Sequence, residues 1–247
     1  MLSVGESGRL EVRIDRKTYH SARGQVVEAV RGLEFSVPAG EFACLIGPSG
    51  CGKSTTLRIL LGLDRDFEGS VRLPAGGGRV GVMFQEPRLL PWRTVEENVR
   101  LTLPAGLAQR SLDDLFAELD LEDARSRYTG ELSLGMERRV ALARALALDP
   151  DLLILDEPLV SLDDHTAARL RRLIAAATER RHATVLMVTH NVREALELAD
   201  TLVLLAPRPT RVIGTVQLDR PKGDRPVAWL ESTRADLARR FPGTIAE

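Results

Sequence analysis

A largely apolar run, Glu41-Phe-Ala-Cys-Leu-Ile46, passes without a break into Gly47-Pro-Ser-Gly-Cys-Gly-Lys-Ser-Thr55. Few stretches restrict a chain more tightly. The apolar run predicts a strand, the glycines a tight loop, and the pattern from Lys53 to Leu63 a helix. A glycine, four residues, then Gly-Lys-Ser is a spacing that suits a phosphate group. Gly47, Pro48, Ser49, Gly50, Cys51 and Gly52 let the backbone wrap around it with N–H groups pointing inward. Lys53 adds a point charge for β- and γ-phosphates, Ser54 a hydroxyl for Mg²⁺, and the helix its positive end. Lysine is scarce, with Lys17, Lys53 and Lys222 the only ones among 34 basic residues, so a lysine at this position is not drift. The other reading of these residues is a glycine-rich turn that caps a helix.

The remaining composition narrows the class. A length of 247 residues allows one large domain or two small lobes, and 44% hydrophobic residues support a substantial core. A formal charge of -1 gives no global positive field for nucleic acid. Neither of the two cysteines, Cys44 in an apolar run and Cys51 in the loop, is expected in a disulfide, which fits a reducing cytoplasm. No secretory signal is expected at the N-terminus. No stretch approaches the ~20 apolar residues that span a bilayer, so any membrane role is expected to come through a partner.

Short apolar runs alternate with helical patterns along the chain. Leu10–Ile14 and Leu33–Val37 read as strands flanking a turn-rich insertion. Ser70–Leu73 and Arg79–Phe84 read as strands on either side of Gly76-Gly77-Gly78. From about Glu86 to Gly130 no strand is expected. Leu112–Leu119 is periodic as a helix, with Ser111 and two aspartates at its start. Then follow helix Met136–Leu148, strand Leu152–Leu155, helix His165–Arg180, strand Thr184–Thr189, helix Val192–Leu198 and strand Leu202–Leu205. The last 40 or so residues add a strand or two and a helix near Val227–Arg240. Such alternation predicts an α/β fold with a mostly parallel sheet covered on both faces.

Polar groups stand at the ends of several apolar runs: Gln85 after Arg79–Phe84, Asp156-Glu157 after Leu152–Leu155, His190 after Thr184–Thr189. Ligands of a parallel sheet bind beyond the carboxyl ends of its strands. Asp156 suits a Mg²⁺ ligand and Glu157 a group that polarises an attacking water. The other reading of the pair is an exposed acidic loop. Gln85 suits water orientation and Mg²⁺ contact, or a plain surface position. His190 suits a γ-phosphate contact or a structural role. His20, His165 and His182 read as surface residues.

Leu132-Ser133-Leu134-Gly135-Met136, then Glu-Arg-Arg-Val-Ala-Leu-Ala-Arg-Ala-Leu, resembles the signature of ABC transporter ATPases. It precedes Leu152-Leu-Ile-Leu-Asp-Glu-Pro158 at that family's interval. Ser161-Leu162-Asp163 resembles the loop that follows, and Val188-Thr-His190 the histidine switch. The resemblance runs from about residue 10 to 206. It implies a P-loop ABC nucleotide-binding domain with a RecA-like, mostly parallel core sheet, an antiparallel β subdomain and an inserted helical subdomain. It implies one domain over 1–247, with the core at about 1–85 and 150–247 and the helical part at about 86–149. It further implies ATP and Mg²⁺, hydrolysis, and a homodimer with two nucleotides at its interface. On that resemblance Lys53, Ser54 and Thr55 hold phosphate and Mg²⁺, and Gln85 links the site to a membrane partner. Ser133 and Gly135 meet the γ-phosphate bound to the opposite subunit, and Asp163 bridges the two sites. Tyr19 matches the aromatic that stacks on adenine. It lies further upstream than in compact members, and Ser21–Val26 reads as a turn insertion that accounts for this.

Phe84-Gln-Glu-Pro-Arg-Leu-Leu-Pro-Trp92, followed by Arg-Thr-Val-Glu-Glu-Asn98, resembles the nitrate, sulfonate and taurine importer branch. There the stretch receives a helix of the membrane subunit. Leu89, Leu90 and Trp92 around Pro91 form an apolar patch on a stiff turn, suited to contact. The other reading packs them inside the helical part. The resemblance implies two permease subunits docking near Gln85–Trp92, a solute-binding protein acting through them, and a place at the cytoplasmic face of the inner membrane. One departure stands out: Leu134 replaces the first glycine of the signature and Met136 its glutamine, while Gly135 is kept, so ATPase activity is expected to survive but to be weaker or more partner-dependent. Two alternatives remain: a soluble non-transport ATPase of the family acting on ribosomes or DNA, and a hydrolysis-impaired regulatory subunit. One cassette, no heptad run and near-neutral charge weigh against the first. Intact Lys53, Asp156, Glu157 and His190 weigh against the second.

Overall fold

Apolar residues alternate with charged ones over the first strands, and this builds a long hairpin. In the computed structural model, which describes residues 2–4, 8–20, 25–74 and 78–245, the elements in chain order are β1 (Leu2–Val4), β2 (Leu10–His20), β3 (Val26–Val37), β4 (Phe42–Ile46), α1 (Lys53–Leu60), β5 (Glu68–Leu73), β6 (Val80–Met83), α2 (Val95–Arg100), α3 (Asp113–Glu118), α4 (Leu134–Leu146), β7 (Leu152–Asp156), α5 (Asp164–Arg181), β8 (Thr184–Thr189), α6 (Val192–Leu198), β9 (Thr201–Leu205), β10 (Val212–Gln217) and α7 (Val227–Arg240). Two units divide the chain: residues 1–75 with 186–247, and residues 76–185.

In the first unit a mainly antiparallel sheet has the order β1-β5-β2-β3. Leu10, Val12 and Ile14 pair with Val37, Phe35 and Leu33 and face the core, while Arg13 faces solvent. Both arms extend further than Leu10–Ile14 and Leu33–Val37. Most of the expected turn-rich insertion is strand, because the pairing continues past a register shift between Lys17 and Thr18. Beyond that shift the arms carry exposed residues such as Tyr19, Val26 and Val27, so the apolar alternation that marks a strand is missing there. Of the expected turn at Ser21–Val26, residues 21–24 lie outside the described residues, as do Gly76 and Gly77 of the triple-glycine turn.

The same unit holds strands in the order β10-β9-β4-β8. β4 runs parallel to β9, and β10 closes antiparallel on β9. Every residue of β4, β8 and β9 is buried, which is why these strands read as unbroken apolar runs. α6 packs on β4 and on α7. α1 ends at Leu60, short of Leu63, where Gly62 takes a positive φ of 68° and turns the chain.

In the second unit β6 and β7 pair in parallel, Val80 with Leu152 through Met83 with Leu155. α4 packs on β6, α2 and α5. Its approach to β6 needs Gly81, where a Cβ would stand 2.5 Å from the Ala145 carbonyl oxygen. Between β6 and β7 the described residues contain helices and 3₁₀ turns but no strand. α2 carries no apolar period long enough to read in the sequence. It starts because Thr94 accepts from the Glu97 N–H at 3.3 Å while Glu97 accepts from the Thr94 N–H at 2.8 Å. These two units together have the expected α/β composition: parallel strands with helices, and a mainly antiparallel sheet.

Nine consecutive residues of α4, Arg138–Leu146, are buried, three of them arginines. Their guanidinium groups end on backbone carbonyls. Arg138 donates to the carbonyls of Gln85 and, at 3.3 Å, Val160. Arg139 donates to Leu119 and Asp120 at 3.0 and 2.8 Å. Arg144 donates to Arg88 and Pro87 at 2.9 and 2.6 Å. Burial pulls the pKa of all three down, yet charge-assisted hydrogen bonds of this kind contribute about 1.5–3 kcal/mol each. Arg138 and Arg144 therefore hold the stretch Gln85–Arg88 by its backbone carbonyls.

Candidate nucleotide site

In the first unit Ile46 ends β4 and residues 47–52 loop directly into α1. Gly50 and Gly52 take φ of 75° and 115°, values that side chains disfavour. A Cβ on Gly47 would stand 2.7 Å from Cys51 Sγ, and one on Gly52 would collide with the Thr210 hydroxyl. Glycines are thus required here by the close approach of Cys51 and Thr210 as well as by backbone conformation. Lys53 Nζ donates to the carbonyls of Gly47 at 2.7 Å and Pro48 at 3.0 Å, so the lysine already lies across the loop mouth. Ser54 is exposed and Thr55 half-buried. Cys44 and Cys51 are free and buried, and burial pushes both thiols above their ordinary pKa.

Thr210, fully buried, braces this loop from the β9–β10 connection. Its hydroxyl donates to the carbonyls of Ala29, at 2.9 Å, and of Cys51. Its own carbonyl accepts from the Arg31 N–H at 3.0 Å. Sequence reasoning passes over Thr210, which lies far downstream of the loop and belongs to no pattern. Tyr19, 38% exposed, stands beside the same helix. Its hydroxyl donates to Asp64 Oδ2 at 3.0 Å and lies 3.5 Å from Thr55 Oγ1. Exposed His190 follows Thr189 at the end of β8. It opens on a cleft of ≈ 410 Å³ lined also by Asn191, Val192, Val227, Leu230 and Glu231. Asn191 caps α6 by accepting from the N–H groups of Arg193 and Glu194.

In the second unit Gln85 is exposed just beyond β6, its backbone held by Arg138. Asp156 ends β7, half-buried. Glu157 follows with φ 47°, a left-handed conformation in which non-glycine residues are uncommon. Such strain clusters at functional sites. Ser133 is the N-cap of α4 and accepts from the Met136 N–H at 3.3 Å. Asp163 is the N-cap of α5, accepting from the Thr166 N–H at 3.0 Å and from its hydroxyl at 2.6 Å. These bonds hold the Asp163 carboxyl below its ordinary pKa. A Cβ on Gly135 would stand 2.5 Å from Thr166 Cγ2. Thr166 thus joins Gly135 to Asp163, and Ser133, Gly135, His165 and Thr166 line one small cavity of ≈ 110 Å³. Leu134 begins α4 and is 40% exposed, so its side chain projects from the helix end beside Ser133.

The segment after Gln85 is shaped by Asn98, fully buried on α2. Its Oδ1 accepts from the Leu90 N–H at 2.7 Å, and its Nδ2 donates to the carbonyls of Leu90, Arg93 and Thr94 at 3.1, 3.2 and 2.9 Å. With the turn pinned in this way, Trp92 stands 70% exposed, Pro91 is exposed, and Leu89 and Leu90 are half-buried.

A parallel-stranded α/β fold with a strand, a glycine loop and a helix whose first residue, a lysine, reaches back to the carbonyls of that loop defines a P-loop nucleotide-binding protein. The comparisons narrow that class. The family model described as ABC transporter matches residues 30–160. The chain is 42% identical over 240 residues to the aliphatic sulfonates import ATP-binding protein SsuB 2 of Burkholderia cenocepacia, covering 94% of this chain and 87% of that one. It is 42% identical over 230 residues to SsuB 1 of Streptomyces avermitilis, covering 93% and 86%. Among solved structures it is similar to a dimeric ATP-binding cassette in a post-hydrolysis state bound to ADP and Pi, with a TM-score of 0.72, 26% identity, and 86% of this chain and all of that one covered. The chain belongs to the ABC transporter family, as one of its ATP-hydrolysing, ATP-binding domains. Among its described residues no helix is long and apolar enough to cross a membrane.

Proposed function

We propose that this protein is the ATPase subunit of an importer for a small organic anion of the aliphatic sulfonate class. The observation that carries the reading is identity of 42% across 94% of the chain with an aliphatic sulfonates import protein. The whole chain is one ATPase domain, with its core at about 1–85 and 150–247 and a helical subdomain at about 86–149. Two copies close on two ATP molecules, a reading supported by the dimeric state of the similar cassette. Tyr19 stacks on adenine. The 47–52 loop, Lys53 and Thr55 hold the phosphates. Ser54, Asp156 and Gln85 offer a hydroxyl, a carboxylate and an amide oxygen, a hard-oxygen set that suits Mg²⁺. Held there, the ion would supply positive charge against the phosphate oxygens. Glu157 takes the proton from a water in line with the γ-phosphorus, and His190 holds a γ-oxygen. Ser133 and Gly135 of the other copy donate to the same phosphate across the interface, and Asp163 bridges the two sites.

Two membrane subunits dock near Gln85–Trp92 on the inner face of the cell membrane, and a solute-binding protein acts through them. Exposed Trp92 on a pinned turn suits a contact anchor. Trp92→Ala is expected to change stability by less than about 0.5 kcal/mol while cutting co-purification of the membrane subunits about tenfold. Undiminished co-purification would move the docking surface elsewhere.

Leu134 favours a second reading, a subunit whose hydrolysis depends strongly on its partners. Its exposed side chain stands at the helix end where the second nucleotide would close. Leu134→Gly is expected to raise turnover of the assembled transporter about threefold, a barrier change of about 0.7 kcal/mol. An unchanged rate removes the leucine as a brake. The overall reading is tested by ATPase assays of the purified protein with and without membrane subunits, in vesicles containing an aliphatic sulfonate and its binding protein. Sulfonate-stimulated hydrolysis is expected; equal activity without membrane subunits points to a soluble ATPase.

A further inference from the structure

Lys17 is a buried cation that the scheme above leaves without a task. Its side chain is 3% exposed. The irregular pairing of β2 near Ile14–Thr18 turns it inward, onto the face that also carries Tyr19 two residues on. Lys17 Nζ donates to Asp64 Oδ1 at 2.8 Å, to the Asp66 carbonyl at 2.6 Å and to Asp66 Oδ2 at 3.4 Å. The same nitrogen stands 4.7 Å from the centre of the Tyr19 ring. Burial pulls the lysine pKa down, but the two carboxylates outweigh it and leave the pKa above its ordinary value.

Asp64 is the second fixed point. It lies in the turn after α1, where its N–H donates to the Arg58 carbonyl at 3.1 Å. One carboxylate oxygen takes Lys17 and the other takes the Tyr19 hydroxyl. Desolvation raises the Asp64 pKa, and the bonds from Lys17 and Tyr19 more than reverse this. The ring is thus set twice: its tip is tied to the turn after α1, and one of its faces is taken by an ammonium group. The opposite face is left for a flat ligand, and the hydroxyl end of the ring lies 3.5 Å from Thr55 Oγ1.

We infer that Lys17 and Asp64 are positioning residues that hold Tyr19 as a one-sided platform for a nucleobase, at a set distance from the phosphate loop. The inference rests on the reading of Tyr19 as the base contact. Neither residue touches nucleotide; both act through the ring. Their effect is therefore confined to ligands that carry a base.

The test compares calorimetric affinities for ATP and for inorganic triphosphate, which fills the loop but has no base. Tyr19→Phe, which deletes only the hydroxyl bond to Asp64, is expected to weaken ATP about threefold. Lys17→Met is expected to weaken it about tenfold, and Lys17→Arg to recover part of that loss. Triphosphate affinity stays within about twofold in every variant. Tyr19→Ala separates the two readings. If it leaves ATP affinity unchanged, the base-contact reading fails and the inference with it. If Tyr19→Ala weakens ATP selectively but Tyr19→Phe and Lys17→Met do not, the positioning role alone is overturned. An equal loss of triphosphate and ATP also overturns it, by showing a general structural effect. Should Lys17→Met fail to fold, Tyr19→Phe decides.

Discussion

Glu157→Gln is expected to leave ATP bound and unhydrolysed, with turnover lower by about 10²–10⁴-fold, the usual contribution of a positioned general base. Glutamine has the shape of glutamate and still accepts and donates hydrogen bonds, so the strained backbone at φ 47° keeps its geometry. What it loses is the capacity to take a proton from water. If the closed dimer forms on ATP binding and opens on hydrolysis, the variant accumulates as a dimer with trapped ATP. Single-turnover hydrolysis, nucleotide binding by calorimetry and size-exclusion chromatography read the three consequences separately. Normal turnover in this variant would remove Glu157 from the catalytic role and shift attention to His190 or Gln85.

A second large effect is expected far from the phosphate. Asn98→Ala should destabilise the protein by about 3 kcal/mol, because it strands the Leu90 N–H and the Arg93 carbonyl and removes the second donor from the carbonyls of Leu90 and Thr94. In a domain of this size that is about 6–12 °C in melting temperature. The loss is local as well as global, since Asn98 holds the turn that presents Trp92. Fluorescence of Trp92 and Trp229, with Trp229→Phe as a background to isolate Trp92, reports on that turn directly. Asn98→Asp keeps the acceptor for Leu90 but loses the donors, so it should fall between wild type and alanine. A melting temperature unchanged in Asn98→Ala would mean that the turn is held by Arg144 and its neighbours instead.

The two cases differ in how far the sequence reveals them. Glu157 is legible as a candidate because its neighbours in the chain explain it: an apolar strand must end, and two carboxylates at that end call for a metal or solvent. Asn98 also stands in a recognisable stretch, yet its job does not show there, because an asparagine near a helix is equally at home on a surface. Burial decides its role, and burial is set by how α2 packs on α4. The hairpin β2–β3 shows the reverse error. Its outer half was expected as an insertion because exposed strand residues carry no apolar alternation, whereas backbone pairing continues whatever the side chains are.

What the sequence by itself determined is whatever depends on contiguous residues. The phosphate loop is of this kind, since backbone N–H groups, glycine conformations and the helix end come from nine adjacent positions, and their geometry follows from local sterics. The apolar runs that become β4, β7, β8 and β9 belong here too, because burial on both faces demands them. Tertiary structure alone decided what stands behind and beside these pieces. It placed the Thr210 hydroxyl against the carbonyl of Cys51, the guanidinium of Arg138 on the carbonyl of Gln85, and the ammonium of Lys17 on the carboxylate of Asp64. Each is a single polar contact between positions far apart in the chain, so its donor and acceptor meet only after the sheets and helices have packed. A sequence records that such groups exist, while the packed fold determines which of them become partners.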